Sequence, residues 1–533
     1  MKFMMGEKNK PTSAWSPLRL PIFRTLWIAT IFSNIGTWVH DVGAGWLMTS
    51  LSPSPLMVSL VQTAGTLPMF ILALPAGALS DIVDRRKLLI AAQYWMLGIA
   101  ICLGVLAYNN MTEAWSLLIM TFCLSLGAAF SLPAWSAVTP ELVPREELSA
   151  ALALNSMGIN ISRAIGPAIG GYIISTFGTQ WAFFFNAISF LTVLTILYRW
   201  DRPPRERTLP AERFFSAMRL GVRFTQNSPE LKAVVYRTVA FIIPASALWS
   251  LLPLVAKDLL QGSSSDYGIL LTFIGIGAVF GATLLPRLKK RISIDSLVAG
   301  GIVLLAGVIS SIAAIHNFQF VCIAMFLGGM AWLTLLSNLN VAAQTSIPSW
   351  VRARAMAIYF MLFFFGGMAA GSLMWGAVAS QIGIPFALYI SAASLVLGLL
   401  LTQSFRLDGR EGLNLAPSMH WPAPEVSIDM DQEKGPVLVT IDYEIDIKHS
   451  KEFKDAMEGV RLARLRDGAL HWGLFNDTEN SGRFVENFIV ESWAEHLRQH
   501  DRVTQADKAI QENAWSFHIG ESKPKVSHFI NVV

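Results

Sequence analysis

Charged residues are scarce in this sequence. Asp, Glu, Lys and Arg make up 15% of its 533 residues, whereas 53% are hydrophobic. A soluble globular protein carries about 25% charged residues. Apolar runs of about 20 residues also recur along the chain, which is the transmembrane signal. The composition therefore excludes an ordinary soluble protein and indicates a polytopic membrane protein.

Cysteine is also rare, and two common motifs are missing. Cys102, Cys123 and Cys322 fall in apolar runs without metal-ligand spacing, so we expect neither a disulfide framework nor a metal site. No Gly-x-x-x-x-Gly-Lys loop is present, which argues against ATP as the direct energy source. Residues 1–20 are polar and basic, so no cleaved signal peptide is expected. We expect no cofactor and no nucleic-acid partner.

The few charges divide the chain into two parts. Residues 1–404 contain 26 Lys and Arg against 15 Asp and Glu, whereas residues 405–533 contain 15 against 22. This asymmetry predicts a membrane part with basic loops, followed by an acidic soluble domain.

Apolar length defines about twelve spans in the membrane part. They fall at 24–50, 56–79, 88–107, 114–139, 148–176, 181–199, 233–257, 267–287, 294–315, 318–345, 351–380 and 384–404. The charged stretch from Arg199 to Glu230 divides them six and six. Lys and Arg concentrate in the loops on one side, so the positive-inside rule places that side, both termini and the tail in the cytoplasm.

The two sets of spans resemble each other. In the first, Pro140 to Arg145 precedes the span that contains Arg163. In the second, Ile347 to Arg352 precedes a span with Gly366-Gly367-x-x-x-Gly371. Two six-helix halves around a central cavity are a transporter architecture. The predicted domains are 1–200, 201–230 as a central loop, 231–404, a linker at 405–434 and a soluble domain at 435–533.

Residues 20–404 resemble the major facilitator superfamily. Gly77-Ala-Leu-Ser-Asp81-Ile-Val-Asp84-Arg85-Arg86 is similar to its Gly-x-x-x-Asp-x-x-x-Arg-Arg loop motif. A second motif, in the fifth span, resembles its antiporter motif and consists of Gly166, Pro167, Gly170 and Gly171. The resemblance implies gating by the loop, through a helix cap or ion pair made by Asp81, and helix packing that favours antiport. The arginines of the loop also have a simpler reading, as determinants of orientation alone.

A narrower resemblance is to the enterobactin-exporter-like transmembrane secretion effector branch. It rests on Leu26-Trp27, on Gly36 to Trp38, on Pro140 to Leu148, and on Ser492 to His500 in the tail. An arginine motif often seen in span four of the superfamily is missing here. Coupling schemes built on that arginine therefore do not carry over.

Two ionisable residues, Asp41 and Arg163, are placed deep within spans. Counting residues from the start of each span puts the two at similar depths, at 1.5 Å per residue. Because an intramembrane charge needs a partner or water, we expect Asp41 to pair with Arg163 and to be the proton-coupling carboxylate. The simpler alternatives are a structural ion pair, or a position of Asp41 near enough to the outer mouth to be solvated. His40 precedes Asp41 and is a weaker candidate for proton exchange.

The resemblance also implies that spans one, four, seven and ten line the substrate cavity. The polar and aromatic residues that they offer are Asn34, Trp38, Ser131, Trp135, Ser246, Trp249, Trp332, Asn338, Asn340 and Gln344. Aromatic rings with a few amides suit a bulky amphipathic solute. Tryptophan also belongs to interfacial belts, so these residues have a structural alternative.

The tail reads as β-α-β-β-α-β, the order of a ferredoxin-like fold. Predicted strands lie at 437–445, 469–475, 483–492 and 526–532, with helices at 449–466 and 493–510. The domain resembles small dimeric monooxygenase-type barrels, which implies a dimerisation surface and an aromatic or haem pocket. Trp493, His496 and His500 share one helix face and would line that pocket. A purely structural or regulatory domain is the simpler reading.

The fold class is therefore an all-α membrane protein of two six-helix halves with a small α+β domain. We expect a secondary exporter, not an enzyme, in the inner membrane. It would move a small siderophore-like or drug-like molecule by proton antiport and alternating access. The alternative is a membrane anchor for a tail that works as a sensor or oxygenase.

Overall fold

The computed structural model describes residues 15–200, 214–348, 350–407, 414–418, 420–421 and 434–531. They form two compact units. The first consists of the described residues before 201 together with Arg237–Leu339 and Phe360–Ser404. The second consists of the described parts of Leu209–Tyr236, Asn340–Tyr359 and Phe405–Val533.

Long helices begin and end near the predicted limits of the first six spans. They are α1 (Pro21–Leu51), α2 (Pro55–Ile82), α3 (Arg85–Tyr108), α4 (Ala114–Leu142), α5 (Leu148–Phe177) and α6 (Thr179–Arg199). Local sequence explains several of these limits. Pro55 occupies the first turn of α2, where its missing N–H is not needed. Gly178 ends α5 with φ of 98°, a conformation that favours glycine.

The remaining spans form a second series of helices. They are α8 (Pro229–Leu254), α9 (Ser264–Lys289), α10 (Ile294–Ala314), α11 (Phe318–Thr345), α12 (Arg352–Ile358), α13 (Gly366–Ile382) and α14 (Ile384–Leu401). Two π-helical turns interrupt this series. Val255–Leu259 extends α8, and Tyr359–Phe365 joins α12 to α13.

In the described part of the chain, ten helices are long and apolar enough to cross a membrane. The helices α1 and α5, of 31 and 30 residues, are as long as the others. They are not among these ten apolar helices. They carry Asp41 and Arg163, respectively. Crossing by these two helices therefore stays a prediction.

The tail contains a four-stranded antiparallel sheet. Its strands are β1 (Val437–Glu444), β2 (His471–Asn476), β3 (Arg483–Val490) and β4 (Lys525–Ile530), in the order β2-β3-β1-β4. Residues alternate between the two sheet faces, and Val439, Ile441 and Phe488 of one face are buried in the core. The helix α15 (Ser450–Arg466) covers that core, as predicted from its spacing.

The second predicted tail helix is in fact two helices. These are α16 (Trp493–Arg502) and α17 (Gln505–Trp515). Thr504 starts the second helix, since its side chain accepts a hydrogen bond from the Asp507 N–H and Asp507 bonds back to Thr504. This capping box is visible in the sequence, and the prediction of one continuous helix was wrong.

Two further segments differ from the sequence-based description. The charged stretch between the halves contains an amphipathic helix, α7 (Phe214–Asn227), which the prediction of a central loop missed. In the predicted linker, residues 408–413, 419 and 422–433 lie outside the described residues. The described segment from Asn414 is bound to the tail, because the Gln505 N–H donates to the Ala416 carbonyl at 3.0 Å.

Candidate transport site

The helices α1 and α5 are in nearly direct backbone contact. A Cβ atom placed on Gly166 would lie 2.6 Å from the Cβ of Trp38, and one on Gly170 would lie 3.0 Å from the Cα of Val39. The Ser162 hydroxyl also donates to the Ile31 carbonyl at 3.1 Å. Glycine is required here because any side chain would separate the two backbones.

The same motif contacts the other half of the membrane part through Gly171. A Cβ on Gly171 would lie 2.7 Å from the Ser264 carbonyl oxygen of α9. Conversely, a Cβ on Gly268 of α9 would lie 3.0 Å from the Cα of Gly171, and one on Gly275 would lie 2.7 Å from the Cα of Ala164. The helix α5 therefore lies between α1 and α9 and joins the two halves.

The second half repeats this arrangement through α13. A Cβ on Gly371 would lie 2.7 Å from the Ile243 carbonyl oxygen of α8, and Gly367 also packs against α8, at Ile242. On the opposite face, a Cβ on Gly376 would lie 2.6 Å from the Cβ of Ser59 of α2. The predicted internal repeat thus reappears as a repeat of contacts, with α2–α13 and α5–α9 as the two joints between halves.

The halves also touch at the ends of these helices. The hydroxyl oxygens of Ser265 and Ser175 lie 2.7 Å apart. The Leu56 N–H donates to the Ser380 hydroxyl oxygen at 3.1 Å, and the Lys257 ammonium donates to the Thr49 carbonyl. All three contacts lie on the side whose loops lack Lys and Arg, so the halves are closed together on that side.

Asp41 shares a helix face with Gly45, which follows it by one turn. A Cβ on Gly45 would lie 3.2 Å from the Tyr267 hydroxyl oxygen of α9. Trp46 and Tyr267 also stack, with ring centroids 6.4 Å apart. The side chain of Asp41 itself is exposed in this conformation. Asp41 therefore faces the opposite half of the membrane part, at the level where α1 meets α9.

The expected pairing of Asp41 with Arg163 is not made in this conformation. No ion pair between them is present among the described residues. The contacts of Gly170 with Val39 and Val42 show why: Arg163 lies seven residues before Gly170, or about 10 Å along the helix axis at 1.5 Å per residue. Counting from the start of each span ignored this offset between α1 and α5.

His40 faces α6 and not Asp41's side of α1. It is only 1% exposed, and its ring lies edge-on to Phe183 with centroids 5.1 Å apart. Both ring nitrogens lack a hydrogen-bond partner within the described part of the chain. The structure therefore does not place His40 where it would relay protons to Asp41.

The loop between α2 and α3 contributes a helix cap and an inter-helix contact. Asp84 caps α3, since its carboxylate accepts from the Lys87 N–H at 3.0 Å. Arg86 donates to the carbonyls of Leu197 and Tyr198 at 2.8 Å each, which favourably places a cation at the C-terminus of α6. The side chain of Asp81 lies outside the described residues, Gly77 is part of α2, and Arg85 opens α3.

The predicted cavity residues divide into two groups. In the second half, Trp249 and Trp332 pack edge to face with centroids 5.2 Å apart, and Phe241 lies 5.3 Å from Trp332. The indole N–H of Trp249 and the amide oxygen of Asn338 have no partner among the residues described. Both atoms are buried in this conformation.

Most of the predicted cavity residues also pack against neighbours or make local hydrogen bonds. Trp38 packs against Gly166, and Trp135 packs against the core of the first half. Ser131 and Ser246 donate to carbonyls of their own helices, as does the amide of Asn338, while Asn340 accepts from Gln344. Asn34 lies part-exposed on α1.

The predicted tail pocket is a cluster of aromatic and imidazole rings. His496 and His500 have their Nε2 atoms 3.4 Å apart, and Trp493 and His528 lie on the other side of His496, with centroids 5.4 and 4.8 Å away. Burial, with His528 and His500 nearby, lowers the pKa of His496 to about 3. No cluster of His, Cys, Asp or Glu that could hold a metal occurs in the described ranges.

Three contacts in the membrane part were missed by sequence reasoning. These are Tyr267 stacked on Trp46 of α1, Lys257 bound to α1, and an ion pair of 2.6 Å between Arg237 of α8 and Asp295 of α10. Lys257 could have been noticed in the sequence, because it is the one basic residue near the side of the membrane whose loops lack Lys and Arg. Tyr267 and Asp295 carry no such signal, because their roles depend on which helices become neighbours.

Comparison with known proteins identifies the family. Residues 12–533 match the family of transmembrane secretion effectors. The chain belongs to this family of major facilitator transporters. It is 24% identical to the staphyloferrin A transporter of Staphylococcus aureus, over 66% of this chain and 87% of that one. The secretion effector is also 27% identical to the enterobactin exporter of Shigella boydii, over 72% of this chain and 91% of that one.

Solved transporter structures share the fold of the secretion effector. A bacterial homologue of the lysosomal transporter Spinster, in an inward-facing conformation, covers 75% of this chain and 98% of its own, with a TM-score of 0.57 and 15% identity. A nucleoside transporter covers 72% and 99%, with a TM-score of 0.60 and 11% identity. At these identities the likeness concerns the fold alone.

Proposed function

We propose that this secretion effector is a proton-coupled exporter of a small amphipathic molecule that works by alternating access. The observation that carries the proposal is the pair of glycine-lined joints, α2–α13 and α5–α9. They bring two similar halves together with almost no side-chain bulk between the backbones. Such joints let two rigid halves rock against each other around a central site.

The proposal includes twelve spans in the inner membrane with both termini in the cytoplasm. The support is the concentration of Lys and Arg in the loops on one side. With this orientation, the contacts of Ser175 with Ser265 and of Lys257 with Thr49 lie on the outer side. The conformation described here is then closed to the outside.

The substrate we propose is a siderophore-like or drug-like molecule with aromatic groups. Two relatives are named for staphyloferrin A and enterobactin, and Trp249 with Trp332 offers this chain a stacking surface. Asp41 is the proposed proton carrier, because it faces the joint that opens and closes. Arg163 lies in the same half and about 10 Å away along the helix axis, so the proposed coupling does not need their pairing. The loop from Gly77 to Arg86 is the proposed gate on the inner side.

Proteoliposomes containing the full chain test this function. We expect a proton signal when one member of a panel is added, the panel consisting of a catecholate siderophore, a macrolide and a dye. Silence across the panel with correctly inserted protein would contradict the proposal. The alternative, a membrane anchor for a working tail, is not favoured, because the named relatives are transporters.

The substitution Gly268→Ala tests the α5–α9 joint. The added methyl group would contact Gly171 and the Pro167 carbonyl, and overpacking of this kind costs about 1–3 kcal/mol. We expect a several-fold loss of transport in proteoliposomes with normal insertion. Gly300→Ala is the matched control, because a Cβ there meets nothing within 4 Å. Equal transport by both variants would exclude a role of close packing at this joint.

We further propose that the tail is a ferredoxin-like module that regulates the transporter. Within the second unit, Arg502 lies over the Trp350 ring at 4.9 Å, and Trp350 packs on Phe224 of α7 with centroids 6.0 Å apart. Arg466 also lies 5.8 Å from the Phe224 ring. Trp350 follows α11 and precedes α12, so these contacts connect the tail to a membrane-part loop.

The substitution Trp350→Ala tests this connection. It removes one cation–π contact and one aromatic contact, and we expect hydrogen exchange in α7 and α15 to rise about tenfold. Trp115→Ala is the control, since Trp115 is 62% exposed on α4. Unchanged exchange in α7 and α15 would show that the tail does not depend on this loop.

Dimerisation through the tail also belongs to the proposal. The sheet face opposite the core presents Phe475 and Phe529, which are 55% and 54% exposed. Leu438 and Ile489 lie between them in paired register positions. A second copy of this face would cover these side chains.

A further inference from the structure

The tail holds an aromatic side chain of its own linker in a polar slot. The indole ring of Trp421 lies 4.8 Å from the guanidinium carbon of Arg464 and packs edge-on to His500 with centroids 4.9 Å apart. Its N–H donates to the Gln511 amide oxygen at 3.0 Å. We call this the Trp421 slot, formed by Arg464, His500 and Gln511.

The walls of the slot are held in place without Trp421. The Nε of Arg464 donates to the Glu486 carboxylate at 3.0 Å, and its guanidinium lies 5.1 Å from Phe488 on the other side. Glu486 is completely buried and also accepts from the Tyr443 hydroxyl at 2.8 Å and the Trp472 indole at 3.1 Å. A cation fixed by this many contacts stays in position when the ring over it leaves.

The segment that precedes Trp421 is held by hydrogen bonds at the surface of the tail and not by packing in its hydrophobic core. Ser418 donates to the Val503 carbonyl from its backbone N–H at 2.9 Å and from its hydroxyl at 3.0 Å. The Ala506 N–H donates to the Asn414 carbonyl at 3.1 Å. These bonds, with an isolated bridge between Pro417 and Thr504, hold a surface segment at the joint between α16 and α17. They are made to residues between or at the ends of those helices and not to the strands of the sheet.

Space and unused polar atoms adjoin the slot. Arg464 and Gln511 also line a cavity of about 10 Å³ beside Val460 and Ile510, nearly the volume that one water needs. Among the residues described, the buried amide nitrogen of Gln499, one turn from His496 on α16, has no hydrogen-bond partner. The cavity is too small for more than one water, so the ring position itself defines the size of the ligand.

We infer that the Trp421 slot is a ligand site, occupied in this conformation by the chain's own tryptophan. The ligand it fits is a planar aromatic compound with an OH or NH donor on its ring edge. The ring would stack on Arg464, the donor would bind Gln511, and His500 would close the edge. This inference concerns binding by the tail and does not depend on whether the membrane part exports anything.

Binding of small aromatic probes to the full chain in detergent tests the inference. A tethered ring competes at an effective concentration of about millimolar, so removing it exposes the site. We expect Trp421→Ala to bind indole at least tenfold more tightly than the parent chain by calorimetry. Trp421→Phe, which keeps a ring and loses the donor, should gain a few-fold. The double variant Trp421→Ala with Gln511→Met should lose most of the gain.

Several outcomes decide the question. Failure of folded Trp421→Ala to bind indole more tightly than the parent chain would overturn the inference and leave Trp421 as packing alone. If Trp421→Ala does not fold, Trp421→Phe decides, and no gain there would also overturn it. Tighter binding of 2,3-dihydroxybenzoate than of indole would support the inference and assign the site to phenolic compounds. The reverse order would support it and assign the site to indole-like compounds.

Discussion

Replacing Asp41 with Asn is expected to abolish export driven by a proton gradient while leaving substrate exchange intact. The carboxylate lies one helical turn before Gly45, which meets Tyr267 across the α1–α9 contact, so its surroundings change when that contact opens. The amide has the same shape and cannot carry a proton. We expect at least a tenfold loss of gradient-driven export in proteoliposomes, whereas counterflow of labelled substrate, which needs no net proton movement, should persist.

The control for this experiment is Asp258→Asn. Asp258 is an exposed carboxylate in the π-helical turn after α8, so its neutralisation changes the charge without touching the α1–α9 contact. Full coupling in the Asp41→Asn protein would remove Asp41 from the mechanism. Loss of counterflow as well would show that Asp41 is needed for the structure or for substrate binding and not for coupling alone.

A disulfide between positions 175 and 265 is expected to stop transport. The hydroxyl oxygens of Ser175 and Ser265 lie 2.7 Å apart across the two halves and are exposed to solvent, so Ser175→Cys with Ser265→Cys places two thiols within bonding reach. After oxidation, export should fall below about one tenth of its initial rate, because a covalent bond outlasts the conformational cycle. Reduction should restore it.

A matched pair of cysteines separates locking from oxidation damage. The hydroxyl oxygens of Ser293 and Ser296 lie 3.0 Å apart within one half, so a disulfide there leaves the joints free. That protein should transport normally before and after oxidation. Full transport by a completely cross-linked 175–265 protein would mean that these helix ends stay together throughout the cycle, which contradicts alternating access.

The positions of the membrane helices could be read from the sequence because their signals are local. Apolar length fixes each helix, and residues such as Pro55 and Gly178 mark where one ends and the next begins. The tail strands could be predicted for the same reason, because their apolar residues alternate along the sequence. Glu486 was also readable in principle, since it occupies a core-facing position between Phe484 and Phe488 in β3 and therefore needs buried donors.

The geometry of the candidate site could not be read in this way. The offset between Asp41 and Arg163 depends on which glycine of α5 meets which backbone atom of α1. That register is a property of two surfaces and not of either helix alone. Tyr267 became part of the site because Gly268 and Gly171 bring α9 against α5. No count of residues along one span contains this information.

The π-helical turn at Tyr359–Phe365 sets the angle about its own axis at which α13 presents its side chains to the neighbouring helices. A conversion of such a turn to regular α-helix changes the register by one residue and turns everything beyond it by about 100°. Gly376 lies beyond the turn and meets Ser59 of α2 only at the present angle. The same angle directs Gly371 of α13 towards Ile243 of α8. This one turn therefore sets two interfaces at once, the one within the second half and the one with the first.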